Sequence, residues 1–175
     1  MTESNGRPPA EAKSEAARNA KVQAVGNWLV LSQFIMIAAI ALMPKTFLPL
    51  AWDVPFSFIG FGLVGLGVIL VLMAITALGP SLSAHPAPRS RSGLVTDGLY
   101  RWMRHPIYTG LLAATLGVAI SNGVWPQIVI WVALLSLLIF KSRFEESLLR
   151  EKYPNYEAYA AKTGRFLPRV FRRRK

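Results

Sequence analysis

The sequence contains no cysteine, so disulfide frameworks, thiolate metal sites and cysteine nucleophiles are excluded, and no redox compartment is implied. No other metal site is expected from it. Acidic side chains are scarce, nine against twenty Lys and Arg, which leaves a formal charge of +11. The patterning of a soluble domain is also missing, because 53% of the 175 residues are hydrophobic and they gather in long uncharged runs. Such runs rule out a disordered chain, and the length is short for a two-domain soluble enzyme. What remains is a small, basic, all-α membrane protein.

Three stretches carry no charge: Gly26 to Met43, Val54 to Leu78 and Ile107 to Phe140. Crossing a hydrocarbon core takes roughly 20 residues at about 1.5 Å each, so each of the first two supplies one helix. The third is too long for one helix and is broken at Ser121-Asn122-Gly123-Val124-Trp125-Pro126, which predicts a helical hairpin. The expected architecture is an integral membrane bundle of about four transmembrane helices near residues 26–43, 54–78, 107–120 and 125–141, inside a membrane domain of 26–168. A mobile arm over 1–25, a helical C-terminal extension and a basic tail over 169–175 complete it. The hairpin arms are short for full spans, which predicts little tilt or continuation into protein-covered polar structure.

Four spans place the arm, the 79–106 loop and the C-terminal segment on one side, with nineteen of the twenty basic residues. The positive-inside rule makes that side, and both termini, cytoplasmic. Ala39-Ile40-Ala41 resembles a signal-peptidase site, but an arm with three acids and an 18-residue apolar run favour a retained span. In the second run, Gly60, Gly62, Gly65 and Gly67 form a small-residue face expected to pack another helix. No strand precedes them, so they are not read as a phosphate loop.

Ionisable and aromatic groups collect at two membrane boundaries. The first is Leu94-Val95-Thr96-Asp97-Gly98-Leu99-Tyr100-Arg101-Trp102-Met103-Arg104-His105-Pro106-Ile107-Tyr108-Thr109-Gly110. Arg101 and Trp102 read as interface anchors, since amphipathic side chains enrich there without any chemistry. Pro106 opens a helix whose following amides and positive end suit a carboxylate, with His105 and Tyr108 on one face of its first turn and Arg104 beside them. The second boundary is Lys141-Ser142-Arg143-Phe144-Glu145-Glu146-Ser147-Leu148-Leu149-Arg150. Paired acids near a bilayer need solvent or partners, and the plain account is i,i+4 pairing with Lys141, Arg143 and Arg150. Tyr153, Tyr156 and Tyr159, at every third position, are expected to line one face. The terminal Arg169, Arg172, Arg173, Arg174 and Lys175 cluster reads as a contact for anionic membrane lipids rather than nucleic acid, because headgroups are the nearer polyanion.

The order Leu94-Val95-Thr96-Asp97-Gly98-Leu99-Tyr100, then Arg104-His105-Pro106-Ile107-Tyr108-Thr109-Gly110, resembles the isoprenylcysteine carboxyl methyltransferase family and its phospholipid methyltransferase relatives. The apolar hairpin, Arg143, Glu145-Glu146, Leu148-Leu149, Tyr156, Tyr159 and closing Arg165-Phe166-Leu167-Pro168 follow the same order, so the likeness covers roughly residues 55–168. It implies a cytoplasm-facing pocket for S-adenosyl-L-methionine, formed by the last two spans, the loop before them and the tail. His85, Leu94, Val95, Tyr100, Arg104, His105, Pro106, Ile107 and Tyr108 are the implied cofactor contacts. Arg143 with Glu145 or Glu146 falls at the implied substrate end, with catalytic roles. A carboxylate acceptor arrives ionised and needs an orienting cation, whereas an amine needs one of the acids as base.

Three classes fit the sequence. The first is a membrane methyltransferase acting on a lipophilic small molecule or prenylated substrate, with a carboxylate as the favoured acceptor. The second is a membrane reductase of related fold using NADPH, for which Arg89 and Arg91 are a weak sign. The third is a non-enzymatic lipid-binding membrane protein. Oligomeric state is not legible.

Overall fold

A computed structural model describes residues 9–45, 54–79 and 93–169. Helix α1 is Pro9–Leu42 and α2 is Val54–Leu78. A 3₁₀ turn, Gly98–Arg101, precedes α3, Pro106–Asn122, then α4, Trp125–Lys152, and α5, Tyr156–Lys162. No strand occurs among the described residues, only an isolated parallel bridge between Met103 and Gly164. The molecule is an all-α membrane bundle in which α1, α2 and α4 are long and apolar enough to cross a membrane, and α3 is a shorter apolar helix.

Residues 9–25 were expected as a mobile arm. They are instead the first turns of α1, continuous with the apolar run. Ala10, Ala12, Ala16, Ala17, Ala20 and Ala24 give that stretch high helix propensity, and Glu11 sits in its positive first turn. Arg18 pairs with Glu151 on α4 at the exposed surface.

The hairpin turn follows its sequence punctuation. Gly123 takes the left-handed conformation at φ 62° that ends α3, and Pro126 lies in the first turn of α4. At 28 residues α4 is about 42 Å long, so its last turns project beyond a core of about 30 Å and carry the acid pair outward. Antiparallel to it, α1 is fixed along its length. Gln127 Nε2 donates to the Ile40 carbonyl at 2.8 Å, and Lys141 Nζ donates to Gln33 Oε1 at 2.8 Å. Trp131 Nε1 donates to the Leu112 carbonyl at 2.9 Å and joins α4 to α3.

On the other side α3 packs against α2 with backbones nearly touching. A Cβ on Gly67 would lie 2.4 Å from the Gly110 carbonyl oxygen, and one on Gly117 would lie 2.5 Å from that of Gly60. Of the four expected packing glycines, Gly60 and Gly67 make this seam, while Gly62 and Gly65 have nothing within 4 Å. The core is Ile40, Tyr108, Leu112, Leu134 and Leu138. Outward faces carry exposed Trp28, Phe34, Phe58, Phe61, Leu72 and Phe140, as lipid contact requires.

Candidate active site

The projecting end of α4 meets the 93–105 loop and the tail at one mouth. The loop is held by backbone bonds to the tail: Arg104 N to Gly164 O at 2.9 Å, His105 N to Arg165 O at 3.0 Å, and Gly164 N to Trp102 O at 3.2 Å. Thr109 Oγ1 adds a bond to Phe166 O at 2.6 Å. Only glycine fits at 164, because a Cβ there would stand 1.8 Å from the Leu167 carbonyl oxygen. Arg165 is thereby delivered to the acids on α4.

Glu146 has no solvent exposure. Arg165 grips it through Nε at 3.0 Å and Nη2 at 2.8 Å, Arg104 Nε donates at 3.0 Å, and His105 Nε2 lies 3.2 Å away. Arg150 Nη2 stands 3.7 Å off, one turn along α4, the i,i+4 pair that the spacing predicts. A buried carboxylate holds its charge only with such partners, and these occupy both oxygens. An ionised Glu146 can only accept, so His105 Nε2 carries a hydrogen. Arg104 Nη1 also donates to the carbonyls of Ala160 at 2.9 Å and Thr163 at 2.6 Å, which binds α5 to the loop. Bonding to Glu146 raises the already high pKa of Arg165.

Glu145 belongs to a second set. It accepts from the Tyr108 hydroxyl at 2.5 Å and faces His105 Nδ1 at 3.5 Å. The His105 and Tyr108 rings stack, with centroids 5.3 Å apart and planes within 2°. Lys141 Nζ lies 5.1 Å from the Tyr108 ring centroid. His105 and Tyr108 are buried, and Pro106 opens α3 so that the amides of Ile107 and Tyr108 have no intrahelical acceptor.

The remaining expected residues divide. Tyr100 is buried, and its carbonyl accepts from the Tyr159 hydroxyl at 2.7 Å. Burial, then the neighbouring Tyr159 and Glu145, push the Tyr100 phenol above its ordinary range. Tyr159 is pushed up to about 12, mainly by burial. Leu94 and Val95 are half-buried in the approach to the 3₁₀ turn. His85, Arg89 and Arg91 lie outside the described residues, as do Arg172, Arg173, Arg174 and Lys175. Arg169 is described, and its Nη1 donates to the Ala161 carbonyl at 2.5 Å.

Arg143, expected at the substrate end, stands apart from the acids. It is exposed on the flank of α4, turned from the face that carries Lys141, Ser142, Glu145 and Glu146. At 100° per residue those four cluster together while position 143 falls outside them. Arg104 and Arg165 hold the acid instead. Tyr153 also departs from the expected tyrosine face, because it caps α4 in extended conformation with Lys152 over its ring, whereas Tyr156 and Tyr159 meet edge to face at 5.9 Å. Arg165, Gln33 and Gly164 carry no role that local sequence pattern assigns. Arg165 had a signal in the closing Arg-Phe-Leu-Pro, and Gln33 in being polar within an apolar run.

Residues 56–156 match the phospholipid methyltransferase family, and the chain belongs to it. It is 31% identical over 121 residues to the probable protein-S-isoprenylcysteine O-methyltransferase of Oryza sativa subsp. indica, covering 64% of this chain and 61% of that protein. It is 26% identical over 147 residues to the nickel-cobalt-cadmium resistance protein NccN of Alcaligenes xylosoxydans xylosoxydans, covering 83% and 65%. An uncharacterized Schizosaccharomyces pombe protein is 33% identical over 87 residues, 45% of this chain and 24% of its own length. The chain thus spans less than two thirds of each of these relatives. No group of three His, Asp or Glu side chains able to hold a metal ion occurs among the described residues.

Proposed function

We propose that the protein is a membrane methyltransferase that uses S-adenosyl-L-methionine and modifies a lipophilic acceptor, a carboxylate, at the mouth where α3 and α4 meet the tail. The observation that carries this reading is the meeting of the His105–Tyr108 turn with Glu145 and Glu146 under Arg165. Family membership and the O-methyltransferase name of one relative support it.

The residues present fit such a cofactor. The amides of Ile107 and Tyr108 at the positive start of α3 suit its carboxylate. Glu145, 16% exposed at its side chain, suits its cationic groups. The buried Tyr156 hydroxyl, without a hydrogen-bond partner among the described residues, is an orphan beside the Glu146 cluster. When bound, the cofactor supplies an electrophilic methyl on a cationic sulfur. The chain's own part is positioning and charge placement. Tyr108 fixes Glu145, and Glu146 anchors the tail that covers the mouth.

Glu146, with both oxygens engaged by cations, is not available as a base. An acceptor that arrives ionised needs neither acid, whereas an amine would have only Glu145, whose Oε1 already accepts from Tyr108, and this favours a carboxylate over an amine. A phospholipid amine is the second reading, supported by the family's own description. The shared end of the Arg18 and Glu151 helix termini supports both ends of the chain facing the cytoplasm, with the basic tail on anionic lipid.

Calorimetric titration of the purified protein with S-adenosylhomocysteine, beside NADPH, tests the assignment. Saturable binding of the former is expected. Binding of NADPH alone points to the reductase class and overturns it.

A further inference from the structure

Lys141 is 2% exposed, at the end of the apolar run of α4, and makes a direct ion pair with neither acid. Its ammonium donates to Gln33 Oε1 at 2.8 Å and lies over the Tyr108 ring at 5.1 Å. Among the described residues no carboxylate lies within ion-pair distance of it, whereas Arg104, Arg150 and Arg165 all pair with acids. An ammonium has three donors and Gln33 takes one, and the Gln33 amide nitrogen brings two more. A buried cation whose direct contacts are only a neutral amide and a ring, with the charge of Glu145 acting on it from one turn away, remains incompletely compensated, and such groups mark sites that receive an opposite charge.

The location fits a lipid-borne ligand. Lys141 precedes Glu145 by one turn, which sets it about 6 Å deeper toward the apolar part of the bundle. Tyr108 links the two levels, with its hydroxyl on Glu145 and its ring under Lys141. The next residues along each helix, Phe34 and Phe140, are exposed at 56% and 57%, so apolar lips flank the polar pair where α1 meets α4.

We infer that Lys141 and Gln33 bind the anionic head of the acceptor, a carboxylate on an apolar chain that enters along the α1–α4 seam. The inference rests on the methyltransferase reading for its reaction but not for its binding site. Lys141 balances the ligand's charge, and the Gln33 amide fixes its direction toward the mouth above.

The test uses the full chain in nanodiscs of neutral lipid and two probes of matched chain and opposite charge, farnesoic acid and farnesylamine, each titrated with and without S-adenosylhomocysteine. Farnesoic acid is expected to bind, with affinity at least tenfold lower in Lys141→Met and within threefold of wild type in Lys141→Arg. Farnesylamine is expected to show no such dependence, and S-adenosylhomocysteine affinity to stay within twofold throughout. If Lys141→Met loses its thermal transition, Gln33→Met, which leaves α4 untouched, is expected to weaken the acid at least threefold. Equal acid affinity in wild type and the folded variants, or preference for the amine, overturns the inference. Loss of S-adenosylhomocysteine binding by wild type, with Lys141-dependent acid binding intact, defeats the methyltransferase reading and leaves the anion site standing.

Discussion

Arg165 closes on Glu146 with two hydrogen bonds, Nε to Oε1 at 3.0 Å and Nη2 to Oε2 at 2.8 Å, across a carboxylate with no solvent exposure. That pair joins the last described segment of the chain to the projecting end of α4. Removing one side leaves buried charge unpaired. Glu146→Gln is expected to destabilise the protein by about 3 kcal/mol, because Arg104, Arg165 and His105 all lose their counter-charge. Arg165→Ala is expected to lose less, about 1 kcal/mol, since its side chain is 30% exposed. Denaturant midpoints of the detergent-solubilised variants give the order, and equal midpoints for wild type and Glu146→Gln contradict it.

Two sets of glycines separate by geometry. Gly67→Ala must push α2 from α3, and a loss of about 2 kcal/mol is expected for overpacking of this kind. Gly62→Ala meets nothing within 4 Å and is expected to change the midpoint little. Gly164→Ala is expected to spare the bundle and release the tail, read as faster proteolysis after residue 162 with an unchanged helical signal.

The Tyr108 hydroxyl bonded to Glu145 separates a site role from a packing role. Tyr108→Phe keeps the stack on His105 and the contact with Lys141, and removes one charge-assisted bond of about 1.5 kcal/mol. S-adenosylhomocysteine affinity is expected to fall about tenfold. Arg143→Ala, on the exposed flank, is expected to leave that affinity within twofold. Similar losses in both variants contradict the placement of the pocket.

Tyr159 sets an alkaline limit. Its phenol is pushed up from 10.0 to about 12, and its proton bonds the Tyr100 carbonyl. Between those values the unfolded chain releases this proton before the folded one, so stability falls as pH rises from 10 toward 12. Tyr159→Phe is expected to remove that part of the fall. Unfolding midpoints from pH 9 to 12 measure it, and an unchanged pH slope in the variant refutes the assignment.

Much of this was legible along the chain. Uncharged runs of span length marked the bundle, Gly123 and Pro126 marked the hairpin, and the short interval from His105 to Tyr108 placed two rings on one helical turn. Contacts between distant residues were not. Arg165 and Gln33 meet partners 19 and 108 positions away, and no local period reports such distances. Arg143 stands apart from Glu145 and Glu146 because a cation next to two acids in sequence points to another side of a helix. The glycine face was visible, but which two of four glycines pack depended on the position of α3.

Methyl transfer itself separates a methyltransferase from the other two classes. Membranes containing the protein, supplied with S-adenosylmethionine labelled in its methyl group and with farnesoic acid, are expected to yield label that mild base releases as methanol, the behaviour of a methyl ester. That label should disappear in Tyr108→Ala. Enzyme-dependent label that resists base, as an N-methyl group does, contradicts the carboxylate assignment, and absence of transfer to any lipid in the membrane contradicts the methyltransferase account.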